Sequence, residues 1–557
     1  MKIQSTGFAG HRSLLLAGAA AFAFAIPAAA QAQDSDRGDE ASTGFGNEIV
    51  VTATKREQTL QETPISVSVT TGETLEQAQI RDVLDLQSVA PSLRVSQLQN
   101  SSTSTFIIRG FGNGDNFGVE PSVGVFIDGV FRSRSASSLN DLANVERIEV
   151  LNGPQSTLFG KNASAGVISV ITRKPQFQFG GSLEAGYGNF NDIRLKGDIT
   201  GPITDTIAFS IDGSYNKRDG YGTIVNLNED INDRNRWTAR GQLLIEPSDS
   251  LSVRLIGDYS KIDEVCCTVG SVVAGPTAAA VFGVGGALNP DFFSREIFLN
   301  KVPVNVVDNY GGSAQINWGS GPISLTAITS YRKLENFVDQ DVDFSSADIV
   351  NEFRDQRVKT FTQEVRIASD FDGPINFLLG GFFFDEKINQ DSGLNTGTAG
   401  RSFFTLLGRA ATGDPGFTFN SLETPTALGV AQNSIFSAGP LISEAYSMDN
   451  QSWSIFGTVD FEPFEGLVLT GGFNYTDDKK DLAMAAQAFD ELSNINLVDR
   501  FITLATSGAV QNRAQFLALP AANQAGLAAL ATNPCTATSA PNTCNPFLGL
   551  APFQFQP

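Results

Sequence analysis

The sequence predicts a compact α+β unit followed by an antiparallel transmembrane β-barrel. Three observations carry this: clean period-two alternation from about residue 180 onward, connections that alternate short and long, and an export-type N-terminus. Lys2, His11 and Arg12 precede an apolar run from Leu14 to Ala30, and Ala30-Gln-Ala32 fits a small-residue cleavage site. The run is alanine-rich, contains Pro27 and is about 17 residues long, short of the roughly 20 apolar residues of a spanning helix. Residues 1–32 therefore read as a signal peptide.

Composition removes several function classes. The net charge of −22 would repel the phosphates of a nucleic acid. His11, the one histidine, lies in the segment expected to be cleaved. The mature chain then lacks imidazole acid–base catalysis, Ser-His-Asp and Cys-His arrangements and imidazole metal ligands. The expectation is no catalytic residue, no metal site and no resident cofactor. Cys266 and Cys267 are neighbours, and Cys535 and Cys544 could close a local loop. An even count in an exported chain suggests disulfides, with three connectivities open, and the absence of Cys-x-x-Cys argues against a thiolate metal centre.

Residues 33–46 are polar, glycine-containing and expected to be flexible. The β-prone run Glu48, Ile49, Val50, Val51, Thr52 and Ala53 follows abruptly. It reads either as an ordinary first strand or as a strand offered to a partner's sheet edge. Residues 60–175 form the α+β unit. Residues 74–89 are helix-compatible up to Pro91, and Asp128-Gly129 between apolar runs signals a tight hairpin with positive φ at both turn positions.

Eleven strands are expected beyond it, at 180–188, 191–200, 206–216, 236–246, 251–260, 307–318, 323–334, 357–369, 375–385, 452–462 and 467–477. Short turns fall at 201–205, 246–250, 319–322, 370–374 and 462–466. Long connections fall near 217–235, 261–306, 335–355, 386–450 and 478–557. Sorting loops by length onto two rims is what outer-membrane barrels do, and a soluble sandwich has no reason to do so.

The segment Val145-Glu-Arg-Ile-Glu-Val-Leu-Asn-Gly-Pro-Gln-Ser-Thr-Leu-Phe-Gly160, continuing to Pro175, resembles the plug-domain signature of TonB-dependent outer-membrane receptors. A nucleotide loop is the rejected alternative, since Gly153 and Gly160 enclose six residues and Asn162 replaces the required hydroxyl. The resemblance implies a signal peptide (1–32), a flexible periplasmic segment (33–59) with a TonB box at Glu48–Ala53, a plug (60–175) and barrel (176–557). The family's barrel has twenty-two strands, so about eleven of twenty-two are present.

The resemblance further implies an outer-membrane location, lipid contact, a TonB-type energy-transducing partner and a small-molecule nutrient complex as cargo, most commonly a ferric siderophore. The polar loop tip with Asn113, Asp115, Asn116 and Phe117 is either a ligand contact or a plain flexible loop. In the family, two plug arginines and two barrel glutamates form a lock. Arg109, in Ile-Arg-Gly, matches one arginine and Glu364, in Gln-Glu-Val-Arg, one glutamate, while Asn152 stands where the second arginine would be. The alternative is that Arg109 and Glu364 each face water. A passive porin or adhesin would share the barrel without needing the 48–175 region, and a secreted β-rich hydrolase would need a polar cleft with paired carboxylates.

Overall fold

The computed structural model describes residues 49–554 apart from 57, 101, 114–116, 140, 268, 271–272, 290, 292, 536–538 and 540–542. The expected signal peptide, the segment 33–48 and Glu48 lie outside the described residues.

The plug is built on a five-stranded sheet with the order Val67–Thr71, Val145–Asn152, Gly166–Thr172, Val123–Ile127 and Val130–Arg132. Only the Gly166–Thr172 and Val123–Ile127 neighbours run parallel. Leu93–Gln97 and Ser104–Ile108 form a separate ladder. Asp128 and Gly129 make the expected hairpin turn, with φ of 50° and 76°. The Asp128 carboxylate accepts from Thr172 N at 2.9 Å, tying the turn to the sheet. A Cβ at Gly129 would lie 2.7 Å from Ile328 Cδ1 of the barrel. Gly129→Ala should therefore cost about 1–2 kcal/mol through positive φ alone, plus whatever Ile328 must yield. Chemical denaturation of the plug checks this.

The helix expected over 74–89 ends early. Gly72–Gln77 is helical, Gln79 turns left-handed at φ 57°, and a 3-10 turn covers Asp85–Ser88. The reason lies in the charges. Asp82 is drawn to Arg234 and Arg236 of the barrel (3.0 and 3.2 Å), and its other oxygen accepts from Leu84 N and Asp85 N. Those amides cannot also serve an uninterrupted helix.

The eleven barrel strands are Gly180–Gly188, Asp192–Thr204, Ile207–Arg218, Arg234–Ser248, Leu251–Glu264, Val304–Ser320, Ile323–Asp341, Val350–Ser369, Ile375–Thr396, Gly439–Phe464 and Leu467–Ala488. They hydrogen-bond in chain order in one antiparallel sheet. The last five are 19 to 26 residues long, well beyond their expected ends. The hydrophobic alternation marks the lipid-facing band of about ten residues, and ladder pairing simply continues past it. Outward aromatics border the band at its loop-side rim: Trp237 stacks on Tyr259 (4.7 Å), Phe361 lies by Phe383 (6.2 Å) and Trp453 by Tyr475 (5.4 Å). Such girdles sit at membrane interfaces. Inward residues Phe382, Phe384 and Phe456 pack on plug residues Phe126, Phe131 and Phe159.

The long connections hold structure that the sequence did not signal. Helices Gly400–Thr412, Phe419–Leu422, Leu497–Ala505 and Ala521–Ala531 and the 3-10 segment Pro546–Phe553 lie in them. Several bury a shared apolar core including Phe404, Phe419, Phe436, Leu492 and Phe547. Cys535 is bonded to Cys544 within this region, and Cys266 to Cys267 in another connection.

Beside that second connection, Asp233 of the preceding one accepts from Val265 N at 2.7 Å. Burial, with help from Glu264, raises its pKa from 3.8 to about 6. The folded state thus binds the proton more tightly. Its stabilising contribution is full below pH 3.8 and lost as pH rises through about 6. Amide exchange at Val265, corrected for intrinsic rate, should show more protection near the acid end of this window than at neutrality.

Candidate functional site

The N-terminal run does not hang free. Val50 and Val51 pair with Thr59 and Gln58, and Leu60 N donates to Ile49 O at 2.8 Å. Val51 and Ala53 are buried. Thr52 N donates to Glu149 Oε1 at 3.0 Å, and Arg147 Nε holds the same carboxylate at 2.9 Å. Within the segment 33–59 expected to be flexible, residues 49–56 find an apolar seat and a buried acceptor on the plug.

The chain then turns at Lys55 (φ 61°) and inserts its ammonium between plug and barrel wall. Lys55 Nζ lies 3.0 Å from Glu364 Oε2 and 4.4 Å from the centre of the Phe159 ring. Arg366 Nη1 reaches the other Glu364 oxygen at 2.6 Å. Burial pushes the Lys55 ammonium down from its usual range, against the pull of Glu364. Next to it, Arg56 Nη1 meets Asp460 Oδ2 of the tenth barrel strand at 3.0 Å.

The expected Arg109–Glu364 pair is not formed. Arg109 is exposed, and its Nη2 donates to Ser66 Oγ at 2.9 Å. Asn152, in the second arginine's place, also meets Ser66, with Nδ2 at 3.3 Å from its carbonyl. With an amide at 152 and Arg109 turned aside, Lys55 supplies the cation under Glu364. Sequence spacing could not reveal it, since the partners are 309 positions apart.

Further plug–barrel pairs were also missed. Arg134 Nη2 binds Glu386 Oε1 at 3.0 Å, both side chains being almost fully buried. Lys161 meets Glu120 and Asp478, at 3.0 and 2.7 Å. Arg236 joins Asp82 of the plug to Glu264 of its own wall. A cavity of about 1340 Å³ opens between plug and wall beside this region, bordered by Lys55, Asp128, Arg254, Ile328 and Arg366.

Of the loop-tip candidates, Asp115 and Asn116 lie outside the described residues. Asn113 is turned inward, accepting from Ser122 N at 2.6 Å and donating to Glu120 O. Phe117 packs on Tyr446 of the wall, ring centres 4.8 Å apart.

Fold and site together define an outer-membrane β-barrel wall with an internal plug tied to it by buried ion pairs. Residues 59–167 match the TonB-dependent Receptor Plug Domain family, and the eleven-stranded antiparallel sheet follows that plug in the chain. It is 31% identical over 185 residues to the pesticin receptor of Yersinia pestis, covering 33% of this chain and 26% of that one. It is 32% identical over 220 residues to an iron-regulated outer membrane virulence protein of Vibrio cholerae, covering 35% and 31%. The chain thus spans about a third or less of those relatives' length. Its fold is similar to the ferric yersiniabactin uptake receptor FyuA from Yersinia pestis (TM-score 0.62, 17% identity, 77% of this chain and 58% of that one). It is also similar to the ferripyoverdine receptor of Pseudomonas aeruginosa (TM-score 0.59, 15% identity, 79% and 56%).

Proposed function

We infer that this chain serves import of a scarce nutrient across the outer membrane, with a ferric siderophore complex as the cargo. A TonB-type protein would grip Glu48–Ala53 and supply the force, because nothing in a barrel and plug can store it. The chain itself would perform no covalent chemistry, and iron would travel as cargo and not as a resident cofactor.

The observation that carries this reading is the seating of residues 49–56. The run is paired to Gln58 and Thr59, clasped by Glu149 of the plug and pinned to the wall through Lys55. A pull on it loads the plug–wall contact directly. The pesticin receptor and the iron-regulated protein among the relatives, and the siderophore receptors among the solved folds, support the cargo class. A passive porin or adhesin has no use for the plug. A hydrolase would require paired carboxylates in an open cleft, whereas the buried carboxylates of the plug–wall contact are held by cations.

The test is removal of Glu48–Ala53 from the receptor. Surface binding of the ferric complex should persist while uptake is lost. Uptake that continues unchanged with binding intact would overturn the reading.

A further inference from the structure

A smaller cavity lies in the long connections. It holds about 480 Å³, the size of a small-molecule site, and every residue lining it belongs to the 265–303 or the 397–438 connection. Two glycines let its walls close. Gly283 ends the helix Pro276–Gly283, and a Cβ there would lie 2.6 Å from Leu406 Cδ1, so glycine lets this helix approach Gly400–Thr412. At Gly408 a Cβ would run into the Phe417 ring. With that ring seated, the Phe417 carbonyl accepts from Arg409 Nε at 3.0 Å.

On the helix Gly400–Thr412, Phe404 and Gly408 are buried, while Arg401, Thr405 and Arg409 recur every four residues and line the cavity. The two arginines differ. Arg401 is held by both oxygens of Glu423, at 2.8 Å each, and is neutralised. Arg409 is fixed through Nε, but its two terminal nitrogens have no protein acceptor among the described residues. Among those residues no carboxylate lines the cavity. Asp414, the nearest acid along the chain, accepts from Gly416 N and makes no ion pair with Arg409. One oriented, uncompensated guanidinium therefore faces the cavity, beside the hydroxyls of Ser402 and Thr405 and the apolar side chains of Leu406 and Phe419.

We propose that this cavity binds a small organic carboxylate, held by the terminal nitrogens of Arg409. A guanidinium fork matches a carboxylate in its plane, with two parallel charge-assisted hydrogen bonds. One free cation is balanced by one negative charge, which favours a monoanion over a dianionic phosphate. The apolar walls take the carbon body of the acid. No plug or barrel-strand residue lines the cavity, so the site is distinct from the plug–wall contact and stands independently of the import reading.

The experiment titrates the detergent-purified chain with benzoate, with its uncharged isostere benzamide and with inorganic phosphate, and follows binding by ligand-observed NMR. Benzoate should bind saturably, and the other two about tenfold or more weakly. R409Q should weaken benzoate binding by about tenfold or more, the loss expected for a charge-assisted pair. R409K keeps the charge but not the fork and should fall between parent and R409Q. R513Q, which removes an exposed arginine on another helix, should bind like the parent. Benzamide or phosphate binding as tightly as benzoate, no saturable benzoate binding, or parent-like binding by R409Q would each overturn the proposal. The parent's comparison of the three ligands decides even if R409Q fails to fold.

Discussion

Lys55→Met will release the N-terminal hairpin from its seat, at a cost of about 3 kcal/mol, the low end of what breaking a buried ion pair entails. The low end applies because Arg366 still neutralises one Glu364 oxygen after the ammonium is gone. What is lost is the second charge-assisted contact, the packing over Phe159 and this segment's ion pair with the eighth barrel strand. Amide exchange at Val50, Val51 and Gln58 should rise well above that of the plug sheet, and proteases should gain access between Thr52 and Gln58. Adding Glu364→Gln should not return the protection, since it strands Arg366 without its carboxylate partner. Unchanged exchange in the single variant would show that Lys55 is a bystander.

Arg134→Met will do more harm, about 3–5 kcal/mol, because among the described residues Glu386 is left as a buried carboxylate with Thr360 Oγ1, at 3.3 Å, as its remaining side-chain partner. Arg134 also donates to Val119 O at 3.0 Å, so the loop leading to the Val123–Ile127 strand loses its anchor as well. The expected signature is a lower denaturation midpoint for the plug with the barrel's strand signal intact. The companion Arg134→Met with Glu386→Leu should be milder than the single change. If the single variant denatures like the parent, the pair contributes nothing net to plug retention.

The wall could be read from sequence because its information is local. Each lipid-facing strand repeats apolar and polar residues with period two, so Phe361, Val365 and Ile367 declare one face and Thr362, Glu364 and Arg366 the other. The Asp128–Gly129 turn is local in the same way. Strand ends above the membrane were lost because both faces become polar there and the alternation fades. The Phe-rich core of the long connections was lost because Phe404, Phe436 and Phe547 lie far apart in sequence with no shared period.

The site was harder for a different reason. A motif such as Ile-Arg-Gly supplies a residue type and a position, but not where its side chain will reach. Arg109 is found beside Ser66, and Lys55, which no motif marks, takes its expected partner. Arg134 and Glu386 are 252 positions apart, so their pairing exists only once the barrel has wrapped the plug.

That separation also orders events in time. Lys55 must wait for Glu364, and Arg56 for Asp460, which is 404 positions later in the chain. Contacts this distant form slowly, because the entropy of closing so long a loop is spent before any contact rewards it. The first stretch of the plug to emerge is thus fastened to the wall only after most of the chain has followed. During biogenesis Lys55 and Arg56 go without their wall partners until the eighth and tenth strands are in place, while Val50 and Val51 can already pair with Thr59 and Gln58.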